Sequence, residues 1–245
     1  MRRHERSADA DRGIASGSAA TAPKIFEAGL DTRMSQTVRY SVILPVCHGG
    51  VFLEKALLSL ARLLSPAGSF EVIVAGDLEG ENIQWPGAMA PKWKIINQTG
   101  NRSKALNAAC AAAAGSIWVF SDDDCVFPPD WLLKIDDFMN RHPKAAAAGG
   151  ADVLPQGATS FDVALDAVLN SWVATGGTRS DRLVKAGAYY PKLWNMAVRA
   201  DAAGHSALEG QNGRLIFDPN LPVHEDVDLI DRIRRAKAGA ILYAP

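Results

Sequence analysis

Cysteine is scarce in this chain of 245 residues. There are three, Cys47, Cys110 and Cys125, odd in number and without C-x-x-C spacing. That argues against a disulfide framework and a structural zinc site, and it fits a reducing cytosol. Long apolar runs are also missing. No stretch reaches the roughly 18 residues needed to cross a bilayer, and the N-terminus lacks the apolar core of a secretion signal. Neither charge is in excess: 26 Lys and Arg stand against 27 Asp and Glu, for a formal net charge of -1. Nucleic acid is therefore not an expected partner, and no basic amphipathic stretch marks a membrane surface. What is plentiful is apolar material, 48% of the residues. That is enough for a sizeable core in one large α/β domain or two small ones.

Residues 1–37 differ from the rest. "MRRHERSADADRGIASGSAATAP" is charged, small and polar without sustained periodicity, which predicts a disordered tail. Met34 is an alternative start. From Tyr40 onward strands and helices alternate. "YSVILPV" reads as a buried strand. "VFLEKALLSLARLL" puts Leu53, Leu57, Leu60 and Leu64 on one helical face. "FEVIVAG" and "WKIIN" read as strands. "SKALNAACAAAA" reads as an alanine-rich helix stopped by Gly115, and "SIWVF" as the next strand. "PPDWLLKIDDFM" is a helix with prolines at its start. "AAAAGGADVLP" reads as a strand of small residues and "SFDVALDAVLNSWVA" as a helix, followed by a loop at Gly176 and Gly177. "YYPKLWNMAVRADAA" holds a strand and a short helix, "EDVDLIDRIRRAKAG" a helix and "AILYAP" a final strand. Such alternation predicts an α/β fold, a parallel sheet with helices on both faces. In such sheets ligands bind outside the carboxyl ends of the strands.

Asp122, Asp123 and Asp124 follow "SIWVF" directly, where that rule places chemistry. Like charges this close repel, and at least one tends to hold its proton. A hard divalent cation explains the crowding, because Mg²⁺ and Mn²⁺ prefer oxygen ligands and Mg²⁺ often takes one or two carboxylates plus substrate phosphates. In an extended segment Asp122 and Asp124 point the same way, so both can face one ion while Asp123 turns elsewhere. The plainer alternative is a loop of aspartates capping the next helix, although one cap needs one aspartate. A phosphatase with an aspartyl nucleophile could also carry D-x-D after a strand.

"HEDVDLIDRIRRAKAG" supplies a second acidic segment. Asp226 precedes Leu229 and Ile230 by three and four residues, at the N-terminal end of the helix and leaning toward the core or a cleft. Glu225 and Asp226 could also simply favour the positive end of the helix dipole. Asp228 with Arg232 and Asp231 with Arg235 are i,i+4 pairs expected on a solvated face.

With these pieces in order, residues 40–245 resemble the family 2 glycosyltransferases of GT-A fold. "YSVILPV", "FEVIVAGD", "GNRSKALNAACAAAAGSIWVFSDDDC", "PPDWL", "WNMAVRADA" and "HEDVDLIDRIRRAKAGAILYAP" carry the resemblance. It implies a Rossmann-like, mostly parallel sheet over residues 38–245, with a nucleotide-binding half near 38–150 and an acceptor-binding half near 151–245. It further implies a cytoplasmic, metal-dependent, inverting transfer from a nucleotide diphosphate sugar, by family default a UDP-sugar. Asp122 and Asp124 would be the D-x-D pair that holds Mg²⁺ or Mn²⁺, Asp124 the more direct ligand. Asp226 would be the base that deprotonates the acceptor hydroxyl, and Glu225 would orient the acceptor or its loop. Pro45, Asp77, Arg102, Lys104, Asp122 and Asp123 would contact the nucleotide sugar, with Asn107 structural and Trp194 beside the acceptor. The acceptor is left open between a saccharide, a lipid-linked compound and a small molecule, as is peripheral association with the inner face of a membrane. The chain departs from the family at Cys47 and His48, where an aromatic residue and an asparagine are usual. His48 is open between a base-stacking substitute and a surface residue. At Gly76 the family has a second aspartate, and at Pro245 the chain stops before a metal-binding histidine usual in the family. Two alternatives stay open, a nucleotide-sugar binder without turnover and a nucleotidyltransferase.

Overall fold

A computed structural model describes residues 24–28, 38–47, 49–64, 69–87, 91–150, 154, 157–169, 171, 189–211 and 213–244. His48 and the loop at Gly176 and Gly177 lie outside them. The framework is a sheet of eight strands among the described residues: β1 (Lys24–Ala28), β2 (Val38–Val46), β3 (Ser69–Gly76), β4 (Lys92–Asn97), β5 (Ile117–Phe120), β6 (Ala145–Gly150), β7 (Met196–Arg199) and β10 (Ala240–Ala244), in the spatial order β1-β4-β3-β2-β5-β7-β6-β10. A separate antiparallel hairpin pairs β8 (Leu208–Gly210) with β9 (Gly213–Leu215).

Side chains alternate across the sheet with the period of two that a strand imposes. On β2, Tyr40, Val42, Leu44 and Val46 enter one apolar cluster and Ile43 the other. The first cluster is closed by α1 (Val51–Leu60) and α3 (Trp131–Arg141) through Leu53, Leu57, Leu60, Leu132 and Met139. On the second face lie α2 (Arg102–Ala112), α5 (Ala200–His205) and α6 (Glu225–Arg235), through Leu106, Ala203, Leu229, Ile230 and Ile233. The alanines of α2 let its backbone sit close to β2, β3 and β4. Helix α4 (Ser160–Leu169) stands apart, with no buried residue and Phe161, Val163, Leu165 and Val168 exposed.

The sheet is mostly parallel, as expected, with two exceptions. Strand β7 runs antiparallel between β5 and β6, and β1 runs antiparallel to β4. Strand β1 also falls within the stretch expected to be a disordered tail: five of its residues pair along the open edge of β4. Helix α2 ends at Ala112, before Gly115, so that glycine is not its stop. A Cβ at Gly115 would lie 2.6 Å from the backbone nitrogen of Ser41; close approach to β2, not helix termination, calls for glycine there.

Strand β2 lies between β3 and β5. The chain moves outward from β2 to β3 and β4, then returns to β5 on the other side of β2. That reversal makes a crevice at the carboxyl ends of β2 and β5. Pro45 is buried in β2 two residues beyond Ile43, the last β2 partner of β5. A proline is tolerated there because the ladder on that side has already ended.

Candidate active site

Strand β5 ends where Ser121 takes over its contacts. The Ser121 amide donates to the Ile43 carbonyl (3.1 Å) and its hydroxyl to the Trp194 carbonyl (2.7 Å). Asp122 to Cys125 then form a tight turn, the Cys125 amide donating to the Asp122 carbonyl at 3.3 Å. The expectation of an extended segment here is corrected: a turn does not follow the alternation that would align Asp122 with Asp124. Instead Asp122 is half-buried against Arg102, Asp123 is half-buried, and Asp124 is exposed.

Arg102 is the first residue of α2, and Asn101 caps that helix by accepting from the Lys104 amide at 3.1 Å. The Asn101 side-chain amide also donates to the Pro219 carbonyl (2.6 Å). Asn107, one turn further on, accepts from the Ile216 and Phe217 amides (2.9 Å each) and donates to the Phe217 carbonyl (2.7 Å). These bonds tie the segment leading into α6 to the face of α2, which gives Asn107 the structural role expected for it. They also explain how a distant part of the chain arrives beside β5.

Helix α6 opens with His224 in the left-handed region (φ 67°), a conformation uncommon outside glycine and frequent at functional sites. The next two residues are Glu225 and Asp226. Arg102 lies between the two acidic segments: its Nη2 donates to Asp122 Oδ1, and its Nε lies 3.2 Å from Glu225 Oε1. Asp226 is 8% exposed, and its Oδ1 accepts from the Val227 amide at 2.8 Å. The two acidic segments therefore share one end of the sheet.

Burial, more than the charge crowding expected from sequence, raises the carboxyls of this cluster. Burial, and then the charges of Asp124 and Glu225, push the Asp122 carboxyl above the ordinary range against the opposing pull of Arg102. Burial, with Asp124 and Asp122, raises that of Asp123. Among the described residues no group of three or more His, Cys, Asp and Glu side chains converges as a ready metal cage.

The remaining residues singled out from sequence lie near this end in varied settings. Asp77 is exposed just past β3, where the Leu78 amide is held by Asn97 Oδ1 (3.0 Å). A Cβ at Gly76 would come within 1.8 Å of the Val46 carbonyl oxygen, so a second aspartate has no room there. Lys104 is exposed on the first turn of α2. Trp194 sits in a single 3-10 turn, Leu193–Asn195, fixed to β5 through Ser121. Asp228 and Arg232 are not the solvated pair expected from sequence. Besides Asp228 (2.9 Å), Arg232 donates to the Ser206 and Ile216 carbonyls (2.6 Å each) and clamps α6 to α5 and to the strand-like segment before Phe217. Ser121, Asn101 and Arg232 are supports of the site that the sequence alone does not reveal. An Asn before a helical run is a legible cap, but its second bond to Pro219 is not. A cavity of about 810 Å³ lies between α3 and the ends of β6 and β10, lined by Trp131, Phe138, Gly149, Asn195 and Tyr243 among others. It contains none of the carboxylates above and is not the site they form.

A family model described as Glycosyl transferase family 2 matches residues 41–192. No curated protein matches the chain by sequence. Among solved structures, the mannosyltransferase PcManGT from Pyrobaculum calidifontis in complex with GDP-Man and Mn²⁺ superposes with a TM-score of 0.58 at 16% identity, covering 86% of this chain and 56% of that one. S. aureus TarS residues 1–349 gives 0.52 at 18% identity, covering 80% and 55%. Its complex with UDP gives 0.53 at 17%, covering 84% and 58%. The fold is thus that of these glycosyltransferases, and the chain spans little more than half the length of these three structures.

Proposed function

The chain belongs to glycosyl transferase family 2, and from that premise we propose that it moves a sugar from a nucleoside diphosphate sugar to an acceptor hydroxyl with inversion at the anomeric carbon. The observation that carries this reading is Arg102 in contact with both Asp122 and Glu225. It supports a reading in which Asp122 lies on the diphosphate side of a crevice at the topological switch of the sheet and Glu225, next to the proposed base Asp226, lies on the acceptor side.

Asp226 is the proposed base. Its carboxylate takes the proton of the acceptor hydroxyl as that oxygen attacks the anomeric carbon. The bond from that carbon to the diphosphate oxygen breaks, and its electron pair leaves with the nucleoside diphosphate. A single displacement from the opposite face inverts the configuration. Glu225 orients the acceptor side, with its charge balanced by Arg102. Asp77, exposed past β3, is placed to meet base or ribose, and Lys104 to meet phosphate. Trp194, held by Ser121, is a wall for the acceptor. Pro45 shapes the floor from its buried position in β2, and Asp123 lines the turn.

Asp122 and Asp124 would hold Mg²⁺ or Mn²⁺. The donor set fits a hard cation: it is all oxygen, and Asp122 is crowded by Asp124 and Glu225. Two carboxylates leave coordination positions for phosphate oxygens and water. When bound, the cation supplies positive charge to the departing diphosphate.

The neighbouring folds are seen with UDP in one case and GDP-Man in another, so a UDP-sugar is the first donor to test and a GDP-sugar the second. The deciding experiment is a donor panel scored for released nucleoside diphosphate, with and without EDTA, on the parent and on Asp226→Asn. Transfer should need the metal. The variant should bind UDP with Mn²⁺ like the parent and lose on the order of 10²–10⁴ in kcat. Parent-level transfer by the variant removes Asp226 as base. UDP binding without any release identifies a non-catalytic binder, and pyrophosphate release from a nucleoside triphosphate identifies a nucleotidyltransferase.

A further inference from the structure

Arg102 is divided between two carboxylates. A guanidinium presents its donors in a fixed fork and is best satisfied by one carboxylate gripped with two parallel bonds. Here one arm goes to Asp122, while the buried Nε faces Glu225 without completing a hydrogen bond. Neither carboxylate is saturated by it. The arrangement is therefore poised between two others, with the fork wholly on Asp122 or wholly on Glu225. Asp122 Oδ1, now occupied by the guanidinium, belongs to the carboxylate proposed above to hold a divalent cation. A dication and a guanidinium compete for that oxygen. Glu225 is the first residue of α6, and Asp226 follows it, so whatever grips Glu225 steadies the proposed base.

We infer that Arg102 is a positioning residue that competes with the divalent cation for Asp122 and, once displaced, closes on Glu225 to fix the start of the helix carrying Asp226. The inference rests on the metal-dependent reading of the site. In that arrangement donor-side loading sets the acceptor side: without a cation the guanidinium neutralises the diphosphate-side carboxylate and holds α6 with only half its fork. Arrival of the cation shifts that fork. The rest of the fastening of α6, through Asn107 and Arg232, is independent of the cation and keeps the helix in place throughout.

Two measurements on metal-stripped protein test this with Mn²⁺ alone as the probe. The first is titration followed by the spin resonance of free Mn²⁺, on the parent, Arg102→Met and Asp124→Asn. Removing a positive charge in contact with Asp122 should tighten Mn²⁺ binding about tenfold in Arg102→Met. Asp124→Asn should weaken it in either background. The second is hydrogen exchange of the peptide spanning Glu225 to Asp228, with and without Mn²⁺. In the parent Mn²⁺ should slow its exchange; in Arg102→Met it should have no effect. Arg102→Lys, which keeps the charge but not the fork, serves as the second variant. It should retain parent Mn²⁺ affinity and lose the exchange effect. Equal or weaker Mn²⁺ binding by Arg102→Met, beside a parent that binds, overturns the competition and leaves the metal site standing. Exchange that responds equally in all three overturns the coupling. Parent and variant that both fail to bind Mn²⁺ overturn the inference and the metal-dependent reading together.

Discussion

Replacing Lys94 with methionine should destabilise the domain by about 3 kcal/mol, and the reason lies at the end of the sheet opposite the site. Glu71 on β3 has a side chain only 1% exposed, with Oε2 3.1 Å from Lys94 Nζ on β4. Its other oxygen accepts from the Ser41 hydroxyl (2.7 Å) and the Ala114 amide (2.6 Å). Lys94 also donates to the Ala112 carbonyl at 2.7 Å, so the pair fastens the C-terminus of α2 to three strands. Removing one partner of a buried pair leaves an uncompensated charge and costs roughly 3–5 kcal/mol. The two donors left on Glu71 place Lys94→Met at the low end. For a domain of this size about 3 kcal/mol corresponds to a drop in Tm of roughly 6–12 °C. Urea unfolding should show a lower midpoint with an unchanged slope. The double variant Glu71→Gln/Lys94→Met carries no orphaned charge and should be more stable than Lys94→Met alone. Nucleotide affinity at 20 °C below Tm should be untouched, since the pair is at the amino ends of the strands. A single variant within about 1 kcal/mol of the parent, or a double variant worse than the single, would refute the argument.

Three further outcomes follow from the same geometry. The raised carboxyl of Asp123 means that the folded state holds this proton more tightly than the unfolded chain does. Its contribution is therefore fully present below about pH 4 and is lost as pH rises through the folded value. Asp123→Asn should raise Tm at pH 7 and flatten the profile above about pH 4; a lower Tm at pH 7 contradicts the assignment. Gly76→Ala must part β2 from β3 to clear the Val46 carbonyl and should cost about 3 kcal/mol or more, read by denaturant unfolding; a loss under about 1 kcal/mol means the contact is soft. Asn107→Leu orphans the Ile216 and Phe217 amides and should cost about 3 kcal/mol, with faster hydrogen exchange across residues 216–217; unchanged exchange shows that the segment is held from elsewhere.

Much of this was legible in sequence because it depends on short-range pattern. The continuous apolar run of "YSVILPV" and the apolar stripe of α6 identify elements that bury themselves the same way whatever surrounds them. The position of the aspartate triplet after a strand followed from the general rule for parallel sheets. What escaped were features set by contacts between distant segments. Gly115 and Gly76 look like punctuation, yet both are glycines because a neighbouring strand comes too close for a Cβ. The pair Asp228–Arg232 has the spacing of a surface pair; only the packing of α5 and the segment at Ile216 against α6 turns Arg232 inward. The short length of β5 lets Asp122 enter a turn at once, and four apolar letters do not say where the ladder stops. A five-residue edge strand inside a polar stretch has no periodic signal long enough to distinguish it.

Arg102 shows the same boundary at the level of chemistry. Sequence places a basic residue at the start of α2 and acids after β5 and at the start of α6, and each alone has an ordinary explanation. A guanidinium there opposes the helix dipole, which favours anions at an N-terminus, so its position is costly unless carboxylates answer it. Asp122 and Glu225 are those carboxylates. They can both reach it because the reversal of strand order beside β2 opens the crevice, and because Asn101 and Asn107 hold the α6 approach against α2. The unfavourable local placement of one positive charge is thus the trace that the tertiary arrangement leaves in the sequence. Replacing Arg102 with methionine should accordingly favour the helix terminus electrostatically while leaving the crevice with unbalanced acids.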